Sequence, residues 1–173
     1  MVIEATSAHH GSVAIFYREV EHFAIEELRL HGRNGISFQL VTGRRQWHVM
    51  GCYISPRNAS TVEDFAVAIR DQPYGAELLV VGNLNTSLAE PEGTPQGESI
   101  MDKLTAAGLM DTGLNFLPWR KPWLQDRCTW SMRRDVLEVQ SWIYYVLGTD
   151  SRLFQDMAIR DHQHHSDHYM VLG

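Results

Sequence analysis

The sequence predicts a single α/β domain in which strands alternate with two amphipathic helices. Three observations carry that prediction. Ile36, Phe38 and Leu40 alternate with Ser37 and Gln39, the period of a half-buried strand. Val62, Phe65, Ala66 and Ile69 recur at helical spacing behind Ser60-Thr-Val-Glu63, which reads as a capping box. Glu77 to Gly82 is apolar without alternation, as in a strand covered on both faces. A length of 173 residues suits one domain spanning 1–173. A monomer of that size buries about 70% of its unfolded surface and needs no disulfide or structural metal to be stable.

Taken in order, Ser12 to Arg18 reads as the first strand, and the stretch from there to Leu30 has no settled period. Ile36–Leu40 and Gln46–Ile54 form a β-hairpin around the turn Thr42-Gly-Arg-Arg45. Pro56 breaks the second strand, and the helix opening at Ser60 stops near Pro73. The buried strand to Gly82 ends in the loop Asn83-Leu-Asn85, and a strand end facing a crevice is a common place for a site. Glu90 to Gly97 is loop, and Glu98–Ala107 is a helix with Ile100, Met101 and Leu104 inward and Gly108 just past its end. Trp119-Arg-Lys-Pro-Trp123 is an irregular aromatic and basic loop, which reads either as a clamp for a nucleic-acid strand or as plain surface. Cys128–Met132, Glu138–Leu147, Asp156–Arg160 and Tyr169–Leu172 read as further strands.

Composition excludes several classes. Apolar residues at 44% and charged residues at 21% are globular usage, not that of a disordered or fibrous chain. The 15 Lys plus Arg against 21 Asp plus Glu give a formal charge of −6, the wrong sign for binding nucleic acid through bulk electrostatics, so any phosphate contact must be local. Cys52 and Cys128 sit in apolar contexts without zinc spacing and point to a reducing compartment. No apolar run reaches about 18 residues and no signal peptide is visible, so an intracellular protein, nuclear or cytoplasmic, is expected. His162, His164 and His165 match no standard zinc motif and read as a metal-binding tract or a polar turn.

Several short segments line up with one family. Val80-Val-Gly-Asn-Leu-Asn85 resembles the Gly-Asp-x-Asn strand end of the endonuclease/exonuclease/phosphatase superfamily, and Ser141-Trp-Ile-Tyr-Tyr-Val-Leu147 resembles its Ser-Arg-Ile-Asp-Tyr-Ile-Leu strand. Ser166-Asp-His168 resembles its terminal Ser-Asp-His, Gly51-Cys-Tyr-Ile-Ser-Pro56 its strand ending in Tyr-x-x-Pro, and Cys128-Thr-Trp130 its Thr-Trp segment. The wording of the whole chain is most similar to the endonuclease domain of fungal non-LTR retrotransposon reverse-transcriptase polyproteins. The resemblance implies a sandwich of two mostly antiparallel sheets flanked by helices. It also implies magnesium-dependent hydrolysis of DNA phosphodiesters, with an Asp that activates water, a His oriented by a second Asp, and a Glu that holds the metal.

Carried over residue by residue, the resemblance makes His168, Asp167, Asn85, Asn83 and Tyr144 catalytic positions, Tyr53 and Trp130 substrate-binding ones, and Asp167 the candidate metal ligand. Two of these depart from the pattern: Asn83 stands where the family has its base, and Tyr144 where it has the His-orienting Asp. An amide cannot take a proton from water at neutral pH. The family's first strands, with the metal-holding Glu, are expected to lie upstream of Met1. The expectation is therefore a degenerate, inactive endonuclease domain; the alternative is a non-catalytic remnant that serves as a nucleic-acid or protein interaction module. Loss of the first strands is also expected to leave an unpaired sheet edge near Val13 to Tyr17 that favours self-association.

Overall fold

A computed structural model describes residues 13, 22–32, 34–56, 58, 60–73, 75–86, 96–111, 130–134, 137–141, 143–150, 158–160 and 170–172. The expected strand from Ser12 (Val13 apart), the loop 119–123, Cys128, the histidines at 162, 164 and 165, and Asp167 and His168 lie outside these residues. The strands are β1 (Phe23–His31), β2 (Gly35–Thr42), β3 (Arg45–Tyr53), β4 (Glu77–Asn83), β5 (Met110–Asp111), β6 (Trp130–Arg134), β7 (Leu137–Ser141), β8 (Tyr144–Gly148), β9 (Ala158–Arg160) and β10 (Met170–Leu172). The helices are α1 (Ser60–Arg70) and α2 (Gly97–Ala106).

Six strands form a mixed sheet in the order β1-β2-β3-β4-β8-β5, and β9 with β10 and β6 with β7 form two-stranded ribbons. The fold is α/β. The expected face-to-face pairing of two large sheets is not seen among the described residues. Within the sheet β3 and β4 run parallel, joined by α1, and β8 runs antiparallel to β4. Parallel neighbours need such a crossover, whereas β2 and β3 need only the tight turn at Gly43, whose φ of 56° suits glycine.

The hairpin lies where the alternation places it, with Ile36 opposite Gly51 and Phe38 opposite Val49. By contrast, the stretch without a settled period contains a regular strand. β1 pairs with β2 along its length, but the register shifts between Glu26 and Arg29 and Glu27 has φ 47°. This bulge flips the side-chain parity in mid-strand and erases the period-2 signal. The single strand expected over Glu138–Leu147 is two strands, β7 and β8.

The cap of α1 also differs from the capping-box reading. Asn58 Oδ1 accepts bonds from the Ser60 N–H at 3.1 Å and its hydroxyl at 2.9 Å, and Glu63 instead pairs with Lys103 of α2 at 3.4 Å. A side-chain cap of this type contributes about 1 kcal/mol. The end of α2 is as expected: the Gly108 N–H reaches Thr105 O, the Leu109 N–H reaches Leu104 O, and Gly108 has φ 67°. That is a Schellman closure, with Leu109 and Leu104 both buried.

Met50, Val80, Leu147, Cys52 and Tyr145 project from one face of the sheet and pack with Val62, Phe65, Ile69, Ile100 and Leu104 of the helices. Ile36, Phe38 and Val146 occupy the opposite side-chain parity, are also buried, and do not belong to that helix-side cluster. The sheet is therefore covered in part on both faces, as the apolar run of β4 anticipates, although Val81 is 41% exposed. No described helix is long and apolar enough to cross a membrane.

Candidate active site

Tyr53 ends β3, Asn83 ends β4 and Tyr144 begins β8, and the register places Tyr53 beside Asn83 and Asn83 beside Tyr144. Three positions far apart in sequence thus form one row across adjacent strands, about 4.8 Å apart per step, at one end of the sheet. Side chains in a row share a face, here the one opposite the helices.

Backbone bonds stitch the strands together just past this row. The Ile54 N–H donates to Asn83 O and the Leu84 N–H to Ile143 O, both at 2.8 Å. Asn83 is buried, and its Oδ1 accepts the Asn85 N–H at 2.8 Å, closing a turn through its own side chain. Asn85 has φ 49°, a left-handed conformation that asparagine tolerates better than most residues. Its Nδ2 donates across to Ile54 O at 2.8 Å, so the loop after β4 is clamped to the end of β3.

Two supporting residues were not singled out in the sequence. A Cβ on Gly82 would run into the backbone carbonyl of Cys52, so β3 and β4 approach this closely only with glycine at that position. Tyr145, buried on the helix side, donates its hydroxyl to Thr86 O at 3.1 Å and ties β8 to the same loop. The signal for Gly82 is the Gly of the Gly-x-x-Asn strand end; nothing in the sequence marks the partner of the Tyr145 hydroxyl.

The structure brings Tyr53, Asn83, Asn85 and Tyr144 together. Asp167 and His168 lie outside the described residues, and Trp130 begins β6 opposite Ser141, its side chain also outside the description. Two amides and two phenols present no anionic oxygen, and no group of three His, Cys, Asp or Glu that could hold a metal occurs among the described residues. The described part of the row therefore does not fit magnesium, which takes hard, mostly anionic oxygen ligands. The Cys52 thiol behind the row is fully buried, and burial pushes its pKa up to about 12, so it is no nucleophile.

Neither a protein-family model nor a curated protein sequence matches the chain. Among solved structures, the endonuclease domain of TRAS1, a telomere-specific non-LTR retrotransposon, superposes with a TM-score of 0.61 at 18% identity, covering 80% of this chain and 62% of that one. An endonuclease/exonuclease/phosphatase family protein from Leptotrichia buccalis gives 0.59 at 12% identity, over 88% and 60%. An AP endonuclease from Archaeoglobus fulgidus gives 0.59 at 10% identity, over 86% and 70%. The chain thus spans about three fifths of the length of the first two. With the strand-end row and these likenesses together, the chain carries the fold of the endonuclease/exonuclease/phosphatase superfamily.

Proposed function

We propose that this chain is a retrotransposon-type endonuclease domain whose catalytic row has lost its acids and no longer hydrolyses DNA. The observation that supports this reading most is the register of Asn83 with Tyr144. Two segments matched independently to the family's motifs meet side by side, and both of the positions expected to carry a carboxylate hold a neutral side chain.

The chemistry follows from those two groups. The Asn83 oxygen is already committed to the Asn85 N–H, and an amide has no lone pair basic enough to deprotonate water at neutral pH. A phenol at position 144 is neutral at physiological pH and cannot stabilise an imidazolium as a carboxylate does. Removing a single base or electrostatic group commonly costs about 10² to 10⁴ in rate, and losing both leaves little chemistry to measure. DNA remains the partner this fold favours, held through local contacts because the net charge is −6.

Nicking of supercoiled plasmid in magnesium buffer tests the reading. The unmodified chain is expected to match a protein-free control. Robust nicking that His168→Ala abolishes would overturn it.

A further inference from the structure

The loss of its acids changes what the Tyr53–Asn83–Tyr144 row can recognise. It now presents two phenols, one on each side of a single amide, and no charged group. Tyr53 and Tyr144 stand one strand to either side of Asn83, so roughly 10 Å separates their Cα atoms. Both are half-buried, held against the sheet with part of their surface left to solution. Val81 lies two residues before Asn83 on the same side of β4, an interior strand, and is nonetheless 41% exposed. This face is therefore open just behind the row.

Two neutral polar groups of the row are uncommitted. Asn83 Oδ1 accepts the Asn85 N–H, but Nδ2 makes no hydrogen bond among the described residues and is not one of the fully enclosed polar atoms there, so solvent reaches it. The same holds for the Tyr53 hydroxyl. Aromatic faces beside neutral donors, with no cation in the row, suit a nucleobase and not a phosphate. A base offers a flat apolar face to a ring, and its edge carries carbonyl and ring-nitrogen acceptors for Asn83 and Tyr53. A duplex keeps its base faces inside the stack, so the strand that fits is single.

We propose that the row binds a single strand of nucleic acid by its bases, one stacked on Tyr53 and one on Tyr144, with Asn83 Nδ2 and the Tyr53 hydroxyl on the base edges. This inference rests on the reading of the row as a former catalytic site and names what now occupies it. A carboxylate at position 144 would repel a nearby phosphate and give a base no face to stack on, whereas a phenol offers the face without the charge. The net charge of −6 works against backbone contacts, so the bases carry the affinity.

Fluorescence anisotropy of a labelled dT octamer with the full chain, in EDTA, tests this against an abasic octamer of equal length and a duplex. The dT octamer is expected to bind at least about tenfold more tightly than either, the worth of one stacked base. Tyr53→Leu and Tyr144→Leu should each weaken dT binding about tenfold and leave abasic binding unchanged. An rU octamer in a further arm identifies the sugar, by the tighter of the two binders. Thermal melting shows whether each variant folds. Where one does not, an octamer carrying 5-iododeoxyuridine is irradiated with the unmodified chain, and its crosslinks should fall on Tyr53 or Tyr144. Equal affinity for the dT and abasic octamers, leucine variants that bind dT normally, crosslinks elsewhere, or no binding at all would each overturn the proposal. Magnesium-dependent nicking by the same preparation would instead overturn the inactive reading, which binding in EDTA does not test.

Discussion

Asn83 and Tyr144 stand opposite each other in the antiparallel ladder of β4 and β8, with Tyr53 flanking Asn83 on the parallel side. Opposed residues in such a ladder have Cα atoms about 4.5 to 5.5 Å apart. Asn83→Asp combined with Tyr144→Asp would therefore place two carboxylates side by side, one at a buried and one at a half-buried position, with no cation among the described residues in the row. The double variant is expected to be less stable at pH 7 than the two single variants add up to, by roughly 1 kcal/mol of unfavourable coupling. Repulsion and burial raise the folded-state pKa of such a pair, so the excess penalty is absent below the unfolded carboxylate value of about 4 and grows as pH rises above it. Urea denaturation of the four chains across pH checks this. Strict additivity would mean that the two positions do not face each other.

Gly82→Ala is expected to destabilise the fold by about 3 kcal/mol or more, because the new Cβ meets the Cys52 carbonyl, a backbone atom that no rotamer change can move. Adding Cys52→Ala should not rescue it, since it removes the thiol contact but leaves the much closer backbone carbonyl in place. Chemical denaturation of the single and double variants reads this directly, and rescue by Cys52→Ala would show that β3 and β4 are not held this close.

How much of this was legible in the sequence depended on whether the signal was local. The β2–β3 hairpin was, because period 2 runs unbroken through Ile36, Phe38 and Leu40, and so was the Schellman end of α2, because Gly108 stands one step past the last apolar residue. β1 was not, because the bulge at Glu27 shifts parity in mid-strand. Asn58 and Ser60 are both good caps two residues apart, and sequence cannot say which side chain reaches back. In the row, the motif words identified Asn83, Asn85 and Tyr144, but that Tyr53 and Tyr144 flank one asparagine is a fact of register.

β1 ends the described sheet and leaves Phe23 51%, Leu28 41% and Leu30 58% exposed. Its bulge and the charges of Glu26, Glu27 and Arg29 blunt this edge without removing its apolar surface. The free edge expected near Val13 to Tyr17 lies, Val13 apart, outside the described residues. Concentration-dependent self-association is expected by light scattering, and Leu30→Lys should reduce it. Scattering from a monomer at every concentration would mean that the edge is closed.

Cys52 gives a pH-dependent readout of the packing behind the row. Burial alone pushes its thiol up to about 12, because the fully enclosed site cannot solvate a thiolate. In a Cys128→Ser background, where Cys52 is the single thiol, an aromatic disulfide reagent at pH 8 is expected to react negligibly with the folded chain and rapidly in urea. The same shift sets the direction of the alkaline limit. The unfolded thiol ionises near its ordinary value, about 8.5, while the folded one stays protonated, so the unfolded state holds fewer protons above that pH. Stability contributed by the buried thiol is therefore fully present below about pH 8.5 and is lost progressively as pH rises toward 12. Cys52→Ala should flatten this alkaline slope while lowering stability at neutral pH, through the cavity it leaves beside Met50 and Ile54. An unchanged slope in Cys52→Ala, or prompt labelling of the folded chain, would show that the thiol is not enclosed and that β3 and β4 do not pack as described.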